Sequence, residues 1–460
     1  MRARFAIPLA ALLLAGCSMT PRYERPAASI RASWPVGDAY LRQSEADLPA
    51  VPWRSLFADP GLATLIDSAL TNNRDLAVAL ANVRAARARY RIQRADRFPV
   101  VEAGAGAGVQ ATDSDTTGRF SADIGVTTFE LDLFGRVAAL SEAEQQRYFA
   151  SEVGARAVRI TLVGDVADAW VTLAADRSLL ALAQDTAANA RRAVALTRAR
   201  LEGGIAPRTD LRQAEQILFT AEADVAGLTT AVAQDINALE LLIGGPVDPA
   251  LLPAAIAPAA DSIALVPAGL DSAVLLRRPD VIQTEYELRA ANAEIGSARA
   301  ALFPRISLTG LAGFASTALS GLFGSGGFAF SGNAGVSYPI FNAGAGRAGV
   351  ELSQAQRDAA LASYEGAIQA AFRDVADALA RAGTYAEEER AQRALVAAAE
   401  DTFTLTDARY RGGIDPFLTR LDAQRSLYSA QRTLVSTLAG RASNRIALYR
   451  ALGADPSINP

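Results

Sequence analysis

Carboxylates and guanidiniums are nearly all the ionisable chemistry this chain offers. Its 45 cationic residues are all arginine, against 49 Asp and Glu, with no histidine and one cysteine, Cys17. That set excludes histidine-based triads, lysine Schiff bases, a P-loop lysine and His or multi-Cys metal sites. Paired carboxylates such as Glu130 and Asp132 are the material left for acid and base work, as in a glycosidase. They occupy neighbouring inward positions of an expected strand, where they read more simply as strand-end polar residues. A net charge of −4 and a pI near 5.3 argue against a nucleic-acid binder, which must neutralise many phosphates. Gly104, Gly106 and Gly108 lack the spacing and the following helix of a dinucleotide fingerprint.

Cys17 has a telling position. Arg2 and Arg4 precede an apolar run over 5–15, the charged-then-apolar order of a secretory signal, too short for the roughly 20 residues that span a bilayer. The run ends in Leu14-Ala15-Gly16-Cys17, which is similar to a bacterial lipobox, with cleavage after Gly16 and lipid on Cys17; an ordinary signal peptide with an incidental cysteine is the alternative. Ser18, rather than the Asp of inner-membrane retention, favours an outer-membrane address. Residues 1–16 are thus expected to be a lipoprotein signal peptide and 17–55 an extended lipidated arm, dotted with Pro21, Pro26, Pro35 and Pro49. Trp34 and Trp53 either mark a membrane interface or pin the arm to the folded body.

Long helices must carry the rest. Residues 136–202 and 347–411 hold no proline and are rich in helix formers, so each predicts a helix of about 100 Å. Both stop at the same signal, Gly203-Gly204-Ile205-Ala206-Pro207 and Gly412-Gly413-Ile414-Asp415-Pro416, glycines for a left-handed cap and a proline that opens the next helix. Asp165-Val166-Ala167-Asp168-Ala169 returns as Asp374-Val375-Ala376-Asp377-Ala378, 38 positions ahead of the glycines in both copies. Asp75 to Pro99 and Asp280 to Pro304 each span 24 positions, so the chain reads as an internal duplication. The expected first repeat is 56–243, with helices over 61–72, 75–97 and 207–242. A Pro-rich connector over 244–276 leads to the second repeat, 277–455.

Within each repeat the period changes to two, over about 100–133 and 304–341. Ile306, Leu308, Gly310, Ala312 and Phe314 form an apolar face against Arg305, Ser307 and Thr309; Phe328, Phe330, Ala334 and Val336 do the same against Ser331, Asn333 and Ser337. A membrane barrel with lipid outside and water inside produces this pattern. A soluble sandwich produces it too, but would not sit between such helices. Four strands cannot close a barrel, which needs about eight, so closure requires several copies of the chain, most simply by cyclic symmetry.

The ordered set of motifs resembles the outer-membrane factors, the TolC-like exit ducts of tripartite pumps, in their NodT-type lipoprotein branch. It comprises the lipobox, Phe57-Ala58-Asp59-Pro60, Asn73-Arg74-Asp75-Leu76, Glu130-Leu131-Asp132-Leu133-Phe134-Gly135-Arg136, Arg277-Arg278-Pro279-Asp280-Val281, Ala298-Arg299-Ala300-Ala301-Leu302-Phe303-Pro304, Tyr338-Pro339-Ile340-Phe341 and Leu421-Asp422-Ala423-Gln424-Arg425. The resemblance implies a mainly α fold with a small β part, assembled as a homotrimer with a twelve-stranded barrel and an α-helical tunnel reaching into the periplasm. It implies no cofactor and no enzyme activity. The implied partners are a periplasmic adaptor, an inner-membrane transporter of the resistance-nodulation-division type and outer-membrane lipid, with small molecules such as drugs as cargo. A type I secretion duct or metal-ion efflux duct would share the architecture; a periplasmic scaffold lipoprotein would need no β hairpins.

The resemblance also assigns roles to residues. Gly203, Gly204 and Ile205, with Gly412, Gly413 and Ile414, are the expected adaptor-contacting tips. Just past the second tip, Asp422, Asp415 and Thr419 are the expected periplasmic constriction, where acidic side chains of three subunits would converge and raise one another's pKa. Thr419 stands where some members have an acid. For Asp422 the alternative is solvated surface charge; for Asp415 it is an N-cap before Pro416.

Overall fold

The computed structural model describes residues 18–27, 52–112, 115–265, 272–453, 455 and 457. Gly16, Cys17, Trp34 and most of the expected arm lie outside the described residues. In chain order the elements are α1 (Trp53–Leu56), α2 (Pro60–Asn72), α3 (Arg74–Ala95), β1 (Val101–Thr112), β2 (Asp115–Glu130), α4 (Arg136–Glu202), α5 (Arg208–Ile243), α6 (Ile256–Asp261), α7 (Pro279–Ala300), β3 (Arg305–Ser316), β4 (Phe328–Ser337), α8 (Ala345–Arg411) and α9 (Phe417–Leu452). The halves repeat element by element: α3 and α7 have 22 residues, β1 and β3 have 12, α4 and α8 have 67, and α5 and α9 have 36. At 1.5 Å per residue, α4 and α8 are each about 100 Å long.

Side-chain caps set the starts of α2 and α3. Asp59 Oδ1 accepts from Leu62 N at 2.9 Å with Pro60 at the first helical position, so α2 begins one residue ahead of expectation. Asn73 Oδ1 accepts from Leu76 N at 2.9 Å and starts α3. No helix among the described residues is long and apolar enough to cross a membrane.

The described residues divide into two compact units, those within 18–27, 81–152 and 282–366, and those within 52–80, 153–281 and 367–457. The first holds one antiparallel sheet in the order β1-β2-β3-β4, with Val101 opposite Val126, Ile124 opposite Ala312 and Ile306 opposite Val336. The two expected hairpins therefore join through β2 and β3, with a bulge between Val126 and Phe129. Where strand gives way to helix, Phe134 stacks on Phe303 at 4.7 Å.

Residues 18–27 of the same unit run along one face of α7. Thr20 fills the space left by Gly296, where a Cβ would lie 2.2 Å from the Thr20 hydroxyl oxygen. Asn292 donates to the Pro21 carbonyl at 2.8 Å, and Glu285 accepts from Arg25 Nε at 3.0 Å and from Arg289 at 2.6 Å. Positions 285, 289, 292 and 296 recur at helical spacing, which is why one extended segment meets all four.

The second unit is built on heptad seams. Ala183, Ala187, Ala190, Val194 and Thr197 of α4 are buried at alternating spacings of four and three, the pattern of a coiled coil. Val396, Ala399, Phe403 and Thr406, half-buried, and Tyr410, buried, repeat the spacing on α8. Outside the seams, Arg191 pairs with Glu222 at 2.9 Å between α4 and α5, and Arg441 with Glu389 at 2.8 Å between α9 and α8. Arg450 of α9 joins the halves by pairing with Asp165, at 2.6 Å, and with Asp168 of α4. The Trp53 ring is buried here, and its backbone N–H donates to Asp455 at 2.9 Å, so it pins the chain entering the body and marks no membrane interface.

Candidate functional site

Both long helices end in the same turn. After α4, Ile205 N donates to Arg200 O at 2.8 Å and Gly204 N to Leu201 O at 3.0 Å; after α8, Ile414 N donates to Arg409 O at 2.9 Å and Gly413 N to Tyr410 O at 3.0 Å. This bond pair is the Schellman motif, and it places Gly204 and Gly413 in the left-handed region at φ 73° and 74°. A side chain at either position would be strained, which is the physical reason for the second glycine of each pair. Ile205 and Ile414 project outward, 73% and 67% exposed. Two bare isoleucines at the ends of charged helices are suited to receiving a partner's apolar side chains.

Beneath the turns, Val194, Leu211, Ala214, Tyr410, Phe417 and Leu421 pack as one core drawn from α4, α5, α8 and α9. Arg420 packs against it with most of its side chain covered, paired with Asp407 at 2.5 Å and lying over the rings of Phe403, Tyr410 and Phe417. Its cation is thereby desolvated against aromatic faces and neutralised by one carboxylate. Composition did not single out Arg420; the signal was its place one helical turn after Phe417, the aromatic residue that opens α9.

Of the expected constriction residues, Thr419 and Asp422 lie on the exposed face of α9, opposite buried Phe417, Leu421 and Gln424. Leu418, 49% exposed, and Arg425 share that face, and sequence reasoning missed both. Arg425 comes within 3.9 Å of Asp422, so the carboxylate stays solvent-facing and weakly paired.

Asp415 behaves differently from expectation. The residue capping α9 is Pro416, without a side-chain cap bond, so Asp415 is not the N-cap. Its carboxylate instead takes the Arg409 guanidinium in a two-bond fork at 2.7 and 2.9 Å. Within the single chain, Arg409 holds its pKa below the usual carboxylate range. The Schellman turn folds residue 415 back beside residue 409.

Further along, Tyr428 donates to Asp224 at 2.7 Å, linking α9 to α5, and burial followed by the Asp224 bond pushes its pKa up to about 12. Tyr428, Gln424, Phe219 and Ile217 line a groove of about 470 Å³. The other carboxylates considered, Glu130 and Asp132, are spent structurally. Glu130 ends β2 and forks onto Arg136 at 2.8 and 2.6 Å, while Asp132, past the strand, accepts from Ala138 N at 2.7 Å. Together they fasten strand to long helix and leave no free acid and base pair.

The sequence model of the outer membrane efflux protein family matches residues 65–245 and again 270–454, once over each run of repeated elements. The chain belongs to that family. It is 43% identical over 458 residues to the toluene efflux pump outer membrane protein TtgC of Pseudomonas putida, covering 97% of this chain and 94% of the relative. It is 40% identical to the outer membrane protein OprJ of Pseudomonas aeruginosa, covering 97% and 94%. The crystal structure of the open state of the Neisseria gonorrhoeae MtrE outer membrane channel superposes with a TM-score of 0.85 at 34% identity, covering 95% of this chain and 98% of that one.

Proposed function

We propose that this outer membrane efflux protein is the exit duct of a tripartite pump of the resistance-nodulation-division type, passing small apolar molecules and drugs through a homotrimeric channel. The observation that carries the reading is the four-stranded sheet, half of what closes even a narrow barrel, in a chain whose two longest helices each reach about 100 Å. Three copies supply twelve strands. Relatives named for toluene efflux support the cargo class. Transport needs no covalent chemistry in the duct, and the energy comes from the inner-membrane transporter through an adaptor that meets the Gly203-Gly204-Ile205 and Gly412-Gly413-Ile414 turns. The α9 face bearing Leu418, Thr419 and Asp422 lines the tunnel, and a lipid on Cys17 fixes the chain to the outer membrane.

The test is complementation. In a host lacking its own exit duct, the chain expressed with its adaptor and transporter should restore tolerance to toluene and to hydrophobic drugs. Failure despite a membrane-inserted protein would overturn the assignment. Restored tolerance to metal ions alone, or restored protein secretion, would move it to the other duct classes.

A further inference from the structure

The segment strapped along α7 has a duplicate position on α3, and among the described residues nothing fills it. Residues 18–27 meet α7 at Arg289, Asn292 and Gly296. Asp75 to Pro99 matches Asp280 to Pro304, and that match carries 289, 292 and 296 onto Arg84, Arg87 and Arg91 of α3. All three are exposed, and Arg94 continues the row at helical spacing. Where α7 offers an amide and a glycine notch to a passing backbone, α3 offers a line of guanidiniums.

That line is not neutralised. From Leu76 to Val100 the sequence has six arginines and one acid, Asp96, which accepts from Gln93 at 2.9 Å. On α7, Arg289 donates to Glu285 at 2.6 Å; among the described residues, Arg84, Arg87, Arg91 and Arg94 have no such ion pair. Tyr90 stacks on Tyr148 of α4 at 6.4 Å, and Arg87 and Arg91 act on the Tyr148 hydroxyl through their charge, which sets the row along the junction of α3 with α4. Like charges three and four positions apart repel, so the row weakens α3 until an anion settles on it.

The row also runs into the barrel. Phe98, on the same face one turn past Arg94, is 62% exposed, and β1 opens at Val101, 64% exposed. At helical rise, Arg91 and Arg94 lie within about 15 Å of that strand, inside the depth of a headgroup layer plus one Debye length. Resting on the barrel reading above, we propose that α3 binds the phosphates of anionic phospholipid headgroups, phosphatidylglycerol or cardiolipin, on the periplasmic side of the membrane. Guanidinium forks match phosphate oxygens two at a time, and Phe98 meets the acyl boundary beside them.

Native mass spectrometry of the detergent-extracted protein, offered equal phosphatidylglycerol and phosphatidylethanolamine, tests this. The unsubstituted chain should retain phosphatidylglycerol preferentially. Combining Arg84→Gln, Arg87→Gln, Arg91→Gln and Arg94→Gln, which keeps helix propensity, should abolish the preference, with affinity falling about fivefold per arginine removed. Arg192→Gln, Arg373→Gln and Arg390→Gln together, exposed arginines of other helices, should leave it unchanged; an equal loss there would reduce the effect to net charge and overturn the site. A fourfold variant that keeps the lipid preference but no longer forms a trimer by light scattering would assign the row to a second copy of the chain and overturn the proposal. Failure of the unsubstituted chain to insert into vesicles would remove the barrel reading itself, whereas insertion without a phosphatidylglycerol preference overturns the lipid site alone. Should the fourfold variant fail to fold, phenylglyoxal labelling of the native-sequence protein decides. Vesicles containing phosphatidylglycerol should suppress labelling at these four arginines and phosphatidylcholine vesicles should not; equal labelling in both overturns the proposal.

Discussion

Asp415 and Asp422 stand seven positions apart near one tip and are held in opposite ways. Asp422 is solvent-facing with Arg425 at 3.9 Å, and in the trimeric tunnel proposed above its charge would concentrate cations. Asp422→Ala should lower the cation-to-anion permeability ratio of single channels in planar bilayers on the order of a few-fold, and weaken block by multivalent cations. Unchanged selectivity would place the constriction elsewhere. Asp415 is already paired, and Arg409 lowers its pKa. A depressed carboxylate contributes stability that is fully present above its unfolded value of about 3.9 and is lost as pH falls through the lower folded value. Amide exchange at Gly412, Gly413 and Ile414, after correction for intrinsic rates, should therefore stay flat between pH 7 and 5 and quicken only below about pH 4. In Asp415→Asn it should be raised already at pH 7. The sequence showed both acids but not this division, because the partner of Asp415 lies six residues back and reaches it only through the left-handed turn at Gly413.

At the scale of elements, proline-free runs and the matched 24- and 38-position spacings made the long helices, their stops and their duplication legible. What sat in the seams was less so, since it depends on the facing helix. Asp235 of α5 is one case: its Oδ2 is buried without a partner, and burial, then the nearby Asp176 charge, raises its pKa to about 6. For a raised acid the sign reverses. The folded state gains from the protonated form, so stability is greatest at low pH and falls as pH rises from the unfolded value through about 6. Asp235→Asn should stabilise the helical part at pH 7.5 by about 1 kcal/mol after discounting for partial exposure, read as a higher thermal midpoint, and remove most of the difference between pH 5 and 7.5. An unchanged pH profile by circular dichroism would contradict it. At the turn, Gly413→Ala forces a Cβ into the left-handed region at a cost of about 1 kcal/mol. The expected readout is faster exchange at the second tip and weaker adaptor pull-down, with the first tip unaffected.

For the molecule as a whole, period-two alternation revealed two faces per strand but not what each face meets, and a single chain cannot answer because its sheet ends on open edges. The barrel reading assigns them: Phe328, Phe330, Ala334 and Val336 to lipid, Ser331, Asn333 and Ser337 to the water-filled interior. Phe330 is 73% exposed in the chain, too much for the packed core of a sandwich. Phe330→Arg should cost about 2–4 kcal/mol per chain if that position lies near the bilayer midplane. Every copy in the ring carries the change, so the penalty recurs three times, and light scattering in detergent should show the trimer lost or strongly reduced. Asn333→Arg, three positions along on the opposite face, should assemble as well as the unsubstituted chain while shifting selectivity toward anions, because it adds one positive charge per subunit to the interior. The pair of substitutions separates the architectures. A soluble sandwich with the apolar side as its core would also lose folding with Phe330→Arg, yet Asn333→Arg would then alter no conductance, because no water-filled interior would exist for its charge to act on.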